Sequence, residues 1–208
     1  MAFTAQDVKT LRGRTGCGMM DCKKVLAEAD GDMDKAAELL REKGLAAANK
    51  KAGRIASEGM VQAVVDEGKK VAAIVEVNSE TDFVAKNADF LAFVDAVAKT
   101  VIAQNPADVD ALSACKLEGA DMTVEEALQE KILVIGENLK IRRFSRYEGV
   151  AATYIHGGGR IGVLVKLEAD DSVAAKEEFK LFGKDVAMQI AAASPIYTTK
   201  EEVPADVV

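Results

Sequence analysis

An internal repeat constrains this 208-residue chain more than any other feature. At a shift of 90 residues, Glu58-Gly59 falls on Glu148-Gly149, Gly68 on Gly158, and Lys70–Val77 on Arg160–Leu167. In the first copy, Met60–Val65 and Lys70–Val77 alternate with a period near two and flank Asp66-Glu67-Gly68-Lys69, which reads as a hairpin. A helical segment follows over Asp89–Ile102, with Phe90, Phe93, Val94, Val97 and Val101 on one face. At the same shift Asp95 lies over Asp185 in the second copy. Two hairpin-plus-helix units, each laying a helix on one face of an antiparallel sheet, predict an α+β core.

Ahead of the repeat, the pattern is helical. Thr4 caps a first helix, with Asp7 three residues on and Phe3/Val8 placed as a hydrophobic staple. Thr15-Gly16-Cys17-Gly18 breaks it, and a second helix runs from Met19 to Ala29, stopping at Asp30-Gly31. Asp32 caps a third, with Met33, Ala36, Ala37 and Leu40 in one stripe and an end at Lys43-Gly44. Residues 45–57 read as a linker able to continue the helix. Fewer than 50 residues make a marginal core, better suited to recognition than to chemistry. Between the two copies, Thr123-Val124-Glu125-Glu126 is a capping box, Ile135-Gly136-Glu137-Asn138 ends that helix, and Leu139–Tyr147 returns as a strand. The predicted domains are 1–54 (three-helix head and linker), 55–147 (first core half with connecting helix and strand) and 148–208 (second half, incomplete).

Charge divides the same way. Residues 1–54 hold eleven Lys/Arg against eight Asp/Glu, and the remainder 16 against 26. An acidic body argues against nucleic-acid binding, whereas a basic head permits steering toward a partner protein. Three cysteines make poor material for a disulfide framework, and Cys17 and Cys22 lack the second pair a zinc site needs, so buried reduced thiols are expected. The first residues lack the basic cap and apolar stretch of a leader, and no run approaches a membrane span, which reads as cytoplasmic.

Duplication supplies an internal control: what both copies share serves the fold, and what one copy lacks needs another reason. After its second strand, copy one reads Asn78-Ser79-Glu80-Thr81-Asp82-Phe83-Val84-Ala85, and copy two reads Glu168-Ala169-Asp170-Asp171-Ser172-Val173-Ala174-Ala175. The acid and the small residues have counterparts; Phe83 does not. Either it folds back onto the core, or it projects as an anchor for a partner's pocket. Met19-Met20 poses the same choice, since neighbours on a helix diverge by about 100° and cannot both face a small core. One of them packs, or the pair forms an adaptable patch for a partner helix.

His156-Gly157-Gly158-Gly159-Arg160 resembles an oxyanion tetrad, but no Gly-x-Ser-x-Gly elbow and no second histidine accompany it. A phosphate-cradling loop needs a following helix N-terminus, and here a strand follows. A hairpin turn with His156 at its exposed tip is the simpler reading. The basic strand Lys140–Arg146 reads as a solvated sheet face. No P-loop, catalytic carboxylate pair or metal cluster is found, so no enzyme, cofactor or metal role is assigned.

Thr15-Gly16-Cys17-Gly18-Met19-Met20-Asp21-Cys22-Lys23-Lys24 closely resembles the N-terminal signature of the elongation factor Ts family. Glu76–Ala85, Ile135-Gly136-Glu137-Asn138 with Arg142-Arg143, and His156 through Val163 resemble further blocks of that family, in family order over nearly the entire chain. The resemblance implies a ubiquitin-associated-like three-helix head on a core of two related halves. It also implies exchange of GDP on elongation factor Tu, without direct nucleotide binding. The residue matching Phe83, helped by that matching Asp82, then wedges near the partner's magnesium site. By the same resemblance Ile135, Gly136 and His156 contact the partner's nucleotide-binding domain, while Arg12, Met19, Met20 and Lys23 engage one of its helices and Lys51 adds to that set. Family members continue with a helical coiled-coil excursion and a return to the core, where this sequence stops at Val207-Val208. The alternative is a passive module that recognises a partner helix without exchange activity.

Overall fold

Most helix ends sit where their caps place them. In the computed structural model, which describes residues 3–207, α1 spans Ala5–Thr15. Thr4 and Asp7 close a reciprocal capping box at its start, and Gly16 ends it in the left-handed region at φ 67°. Helix α2 (Met19–Glu28) follows, then α3 (Met33–Lys51), whose Asp32 accepts from the N–H groups of Asp34 and Lys35. Each such cap is worth about 1 kcal/mol. Val8, Leu11, Cys22, Val25, Leu26, Ala36 and Leu40 close the head's core. Met1, Ala2 and Val208, on which the readings of the chain ends partly rest, lie outside the described residues.

Cys17 and Cys22 are the buried staple of α2, one residue before its N-cap and four after it. Both are free, and burial pushes both thiols up. A thiol held protonated in this way is a packing group rather than a nucleophile.

Helix α3 does not stop at Gly44. It continues to Lys51, because Gly44 serves close approach rather than termination: a Cβ there would lie 3.4 Å from the Gln129 carbonyl oxygen. Gln129 belongs to α7 (Val124–Ile135), and that contact docks the head on the body. Leu133 of α7 joins the head's apolar cluster, and Arg41 of α3 pairs with Glu126.

The body opens with β1 (Glu58–Asp66) and β2 (Val71–Ser79), antiparallel in the register Val65↔Ala72. A one-turn helix α4 (Asp82–Ala85) leads into α5 (Ala88–Gln104). The short α6 (Val109–Ala114) and then α7 follow, and their Leu112, Val124, Ala127 and Ile132 join the apolar cluster of α5. The strand after α7, β3 (Lys140–Glu148), joins β2 to give the order β1-β2-β3. The second copy follows as β4 (Val150–His156) and β5 (Ile161–Leu167), a two-stranded sheet, then α8 (Asp171–Ala174) and α9 (Glu177–Ala193). The result is the α+β architecture expected. No helix among the described residues is long and apolar enough to cross a membrane.

One detail of the repeat changes. The hairpins superpose at a shift of 90, but α4 and α5 match α8 and α9 at 89, since three residues separate Leu167 from Asp171 where four separate the equivalent Val77 from Asp82. Asp95 therefore lies over Lys184 rather than Asp185. At the corrected register Asp82 matches Asp171, Phe90 matches Phe179, Phe93 matches Phe182, and Phe83 matches Ser172.

Candidate functional site

Phe83 is the second residue of α4 and is 82% exposed. It does not fold back: its neighbour Val84 fills the core position instead, at 8% exposure. In a four-residue helix, adjacent side chains point about 100° apart, so burying Val84 directs Phe83 into solvent. Asp82 beside it pairs with Lys86 at 2.7 Å. That hydrogen bond, with the charges of Lys86 and Arg160, holds the Asp82 carboxyl below its usual range.

Arg160 belongs to the turn between β4 and β5, so the second hairpin's tip is close enough for its charge to act on Asp82. Gly157, Gly158 and Gly159 all have positive φ, 60° to 94°, which only a run of glycines supplies without strain. Gly159 stacks against β1: its carbonyl accepts from the Val61 N–H at 2.8 Å, and a Cβ there would lie 2.9 Å from Met60 Cβ. His156 stands exposed at the mouth of this turn, its Nδ1 3.0 Å from the Tyr154 hydroxyl. Lys70 of the first hairpin turn, at the position equivalent to Arg160, binds Asp171, the counterpart of Asp82, at 2.6 Å.

Ile135 and Gly136 end α7, with Gly136 the left-handed C-cap at φ 86°. The two residues after them bind the loop that carries Phe83. Glu137 accepts from the backbone N–H groups of Glu80 and Thr81, each at 3.0 Å, and from the Thr81 hydroxyl at 2.6 Å. Glu80 in return accepts from the Asn138 N–H at 2.6 Å and faces Arg54 at 3.4 Å, while Asn138 Nδ2 donates to the Arg54 carbonyl. Asp82-Phe83, Ile135-Gly136 and the end of the head's linker are thus joined by one set of hydrogen bonds. Sequence reading did not single out Glu80 or Glu137 for this; the available signal is that Glu80 faces Ala169 at the corrected register, so it too is present in one copy only.

On the head, Met19 and Met20 open α2 at 48% and 64% exposure, so neither packs into the core. Cys17 and Cys22 staple the helix start beneath them. Arg12, in the last turn of α1, and Lys23 are exposed. Lys51 differs: it is half-buried and donates to the Ile132 carbonyl at 3.2 Å, tying the end of α3 to the last turn of α7. The basic strand is not purely solvated either, because Arg142 and Arg143 of β3 both grip Glu76 of β2. Among the described residues no group of three His, Cys, Asp or Glu gathers that could hold a metal.

Comparison with known proteins gives the family. A family model described as elongation factor TS matches residues 80–208. The chain is 53% identical over 207 residues to "Elongation factor Ts" of Clostridium botulinum (strain Alaska E43 / Type E3), covering 98% of this chain and 67% of that relative. It is 56% identical over 205 residues to the protein of the same name from Clostridium kluyveri, covering 97% and 66%, and 52% identical over 212 residues to that from Trichlorobacter lovleyi, covering 100% and 68%. The chain thus spans about two thirds of the length of these relatives. With the matched region holding α4, the end of α7 and the glycine hairpin, and the pairwise identity extending through the head, this chain belongs to the elongation factor Ts family.

Proposed function

We propose that this chain is a guanine-nucleotide exchange factor that binds the translational GTPase elongation factor Tu and promotes GDP release during protein synthesis. The observation that carries the reading is Phe83: an aromatic 82% exposed on a pinned one-turn helix, in the one copy of a duplicated fold that has it. An exposed aromatic has nothing to bury against in the free protein, and its apolar area becomes binding energy once a partner's pocket covers it. Asp82 sits beside it with its charge retained to low pH, suited to competing for the magnesium and phosphate contacts of a nucleotide site. Ile135-Gly136 and His156 flank the wedge on the nucleotide-binding domain, while Arg12, Met19, Met20 and Lys23 of the head engage one of that domain's helices.

The physics needs no contact with GDP. A factor that binds the nucleotide-free GTPase better than the GDP-bound one weakens GDP, by about tenfold for each ~1.4 kcal/mol of differential binding. Reciprocity then has nucleotide rebinding loosen the factor, so it turns over without covalent chemistry. Family membership supports a cytoplasmic place for that cycle.

The test is stopped-flow release of labelled GDP from purified elongation factor Tu. Phe83→Ala is expected to slow the accelerated release by at least about 30-fold, the loss of a ~2 kcal/mol interface anchor, with thermal stability unchanged. Ser172→Phe, which places an aromatic at the matching point of the second copy, should not restore it. Release unaffected by Phe83→Ala, or equal affinity for the GTPase with and without nucleotide, rejects the wedge and leaves a passive binding module.

A further inference from the structure

The clasp around Glu137 has no counterpart in the second copy, which has Ala169 at the position of Glu80 and Asp170 at that of Thr81. It appears where Phe83 appears. A helix of four residues cannot hold its own direction, since forming a first turn costs more order than its one or two hydrogen bonds return. Something outside α4 must fix it. Val84, buried at its inner side, is one anchor. The other lies just ahead of the helix, at Glu80 and Thr81. Thr81 is the N-cap of α4, yet its hydroxyl makes no capping bond; it is donated to Glu137 at 2.6 Å. Both carboxylate oxygens of Glu137 are used, Oε2 on two backbone N–H groups and Oε1 on the hydroxyl. Ionised acceptors make the stronger hydrogen bonds, and three donors on two successive residues leave that segment little rotational freedom.

We infer that Glu137 is the positioning residue for Phe83, and that through it the wedge and Ile135-Gly136 present themselves as one preorganised surface. The inference rests on the exchange reading above. Glu137 follows Gly136 directly, so the carboxylate that orients α4 is carried by the C-cap turn of α7, and the two contact elements cannot drift apart while it is bound. Preorganisation of this kind cuts the ordering cost of forming a strained contact. Its loss affects the step that needs the wedge more than the docking done by the head.

The experiment uses the 208-residue chain and GDP-loaded elongation factor Tu, with release followed over a range of chain concentrations. Glu137→Ala is expected to lower the maximal release rate by about tenfold and to shift the half-saturating concentration by less than about threefold, the split that marks an interaction used only in the exchange step. Glu137→Gln keeps an oxygen for the two N–H groups and should recover most of the rate; Thr81→Val, losing one bond, should fall between. Adding Glu137→Ala to Phe83→Ala should cost nothing further, as for two residues acting through one contact. Amide hydrogen exchange read on the same proteins should show Glu80 and Thr81 deprotected in Glu137→Ala with α5 unchanged. A wild-type maximal rate in Glu137→Ala, a loss that adds to that of Phe83→Ala, or unchanged protection at Glu80 and Thr81 overturns the inference. No acceleration by the wild-type chain overturns the exchange reading itself, which separates the two failures.

Discussion

Helices α5 and α9 are the same element twice, each 17 residues long, each entered through a one-turn helix and each ended by a left-handed residue, Asn105 or Ser194. Their burial differs sharply. Helix α5 buries Phe90, Phe93, Val94, Val97, Ala98, Thr100, Val101 and Ile102; α9 buries only Gly183 and Ala187. Phe93 is 3% exposed and its counterpart Phe182 is 55% exposed. The backbone plan came with the duplication, whereas burial came from what lies outside it. Helix α5 packs on the three-stranded sheet and shares one apolar cluster with Leu112, Val124, Ala127 and Ile132 of the α6–α7 segment. Helix α9 packs mainly on its own two-stranded sheet, reaching beyond it through Lys180 to Glu67 of the first hairpin at 3.7 Å, and it approaches that sheet closely, since a Cβ on Gly183 would lie 2.8 Å from Leu167 Cδ1.

The largest effect expected from this contrast is on stability. Phe93→Ala should cost about 3–5 kcal/mol, the range for removing a fully packed aromatic, and Phe182→Ala under ~1 kcal/mol. Urea denaturation of the two variants checks it; equal losses would mean that the outer face of α9 is covered in solution as α5 is.

A smaller difference is expected at the bends that open the two hairpins. Gly59 and Gly149 occupy equivalent positions with φ of 125° and 109°. Strain alone makes alanine cost about 1–3 kcal/mol at either. At Gly59, however, a Cβ would also drive into the backbone of Val77 and Asn78 across the strand pair, whereas at Gly149 it would meet only the end of the Lys166 side chain, 3.5 Å away. Gly59→Ala should therefore lie at or above the top of that range and Gly149→Ala near its bottom. The comparison is read from paired melting curves.

The same contrast explains what the sequence made legible. Both capping boxes, the glycine hairpin and the apolar stripe of α5 depend on residues within a few positions of one another, and each sits where its pattern predicts. What escaped depends on distance. Gly44 looked like a stop because its role is set by Gln129 on another helix. The one-residue slip between copies lies in a loop that no periodicity marks. The Glu137 clasp joins residues 57 apart, and two glutamates in polar stretches carry no local sign of facing each other. Phe83 and the Met19-Met20 pair were open choices because periodicity cannot distinguish an inward from an outward side chain on a first helical turn. The burial of Val84 and of Cys17 with Cys22 decides them.

The smallest effect expected concerns Glu76, which the duplication places over Lys166. Burial by itself raises the Glu76 carboxyl, but hydrogen bonds from Arg143 and Asn78 and the charges of Arg143 and Arg142 outweigh it, and the net shift is downward. Both arginines come from β3, the strand the second sheet lacks, so a carboxylate is useful at this point in one copy and not in the other. A group whose folded pKa is depressed stabilises the fold above its unfolded pKa, about 4.3 for glutamate, and loses that contribution as pH falls through the folded value. Wild type should exceed Glu76→Gln by at most ~1 kcal/mol at neutral pH, since both guanidinium groups are more than half exposed and salt screens them. The gap should narrow below pH ~4 and shrink in high salt, and for Lys166→Gln no acid-dependent gap of this kind should appear. Denaturation curves for the three proteins across acid pH decide it: a gap that persists at low pH would assign Glu76 to packing rather than to its pairing with β3.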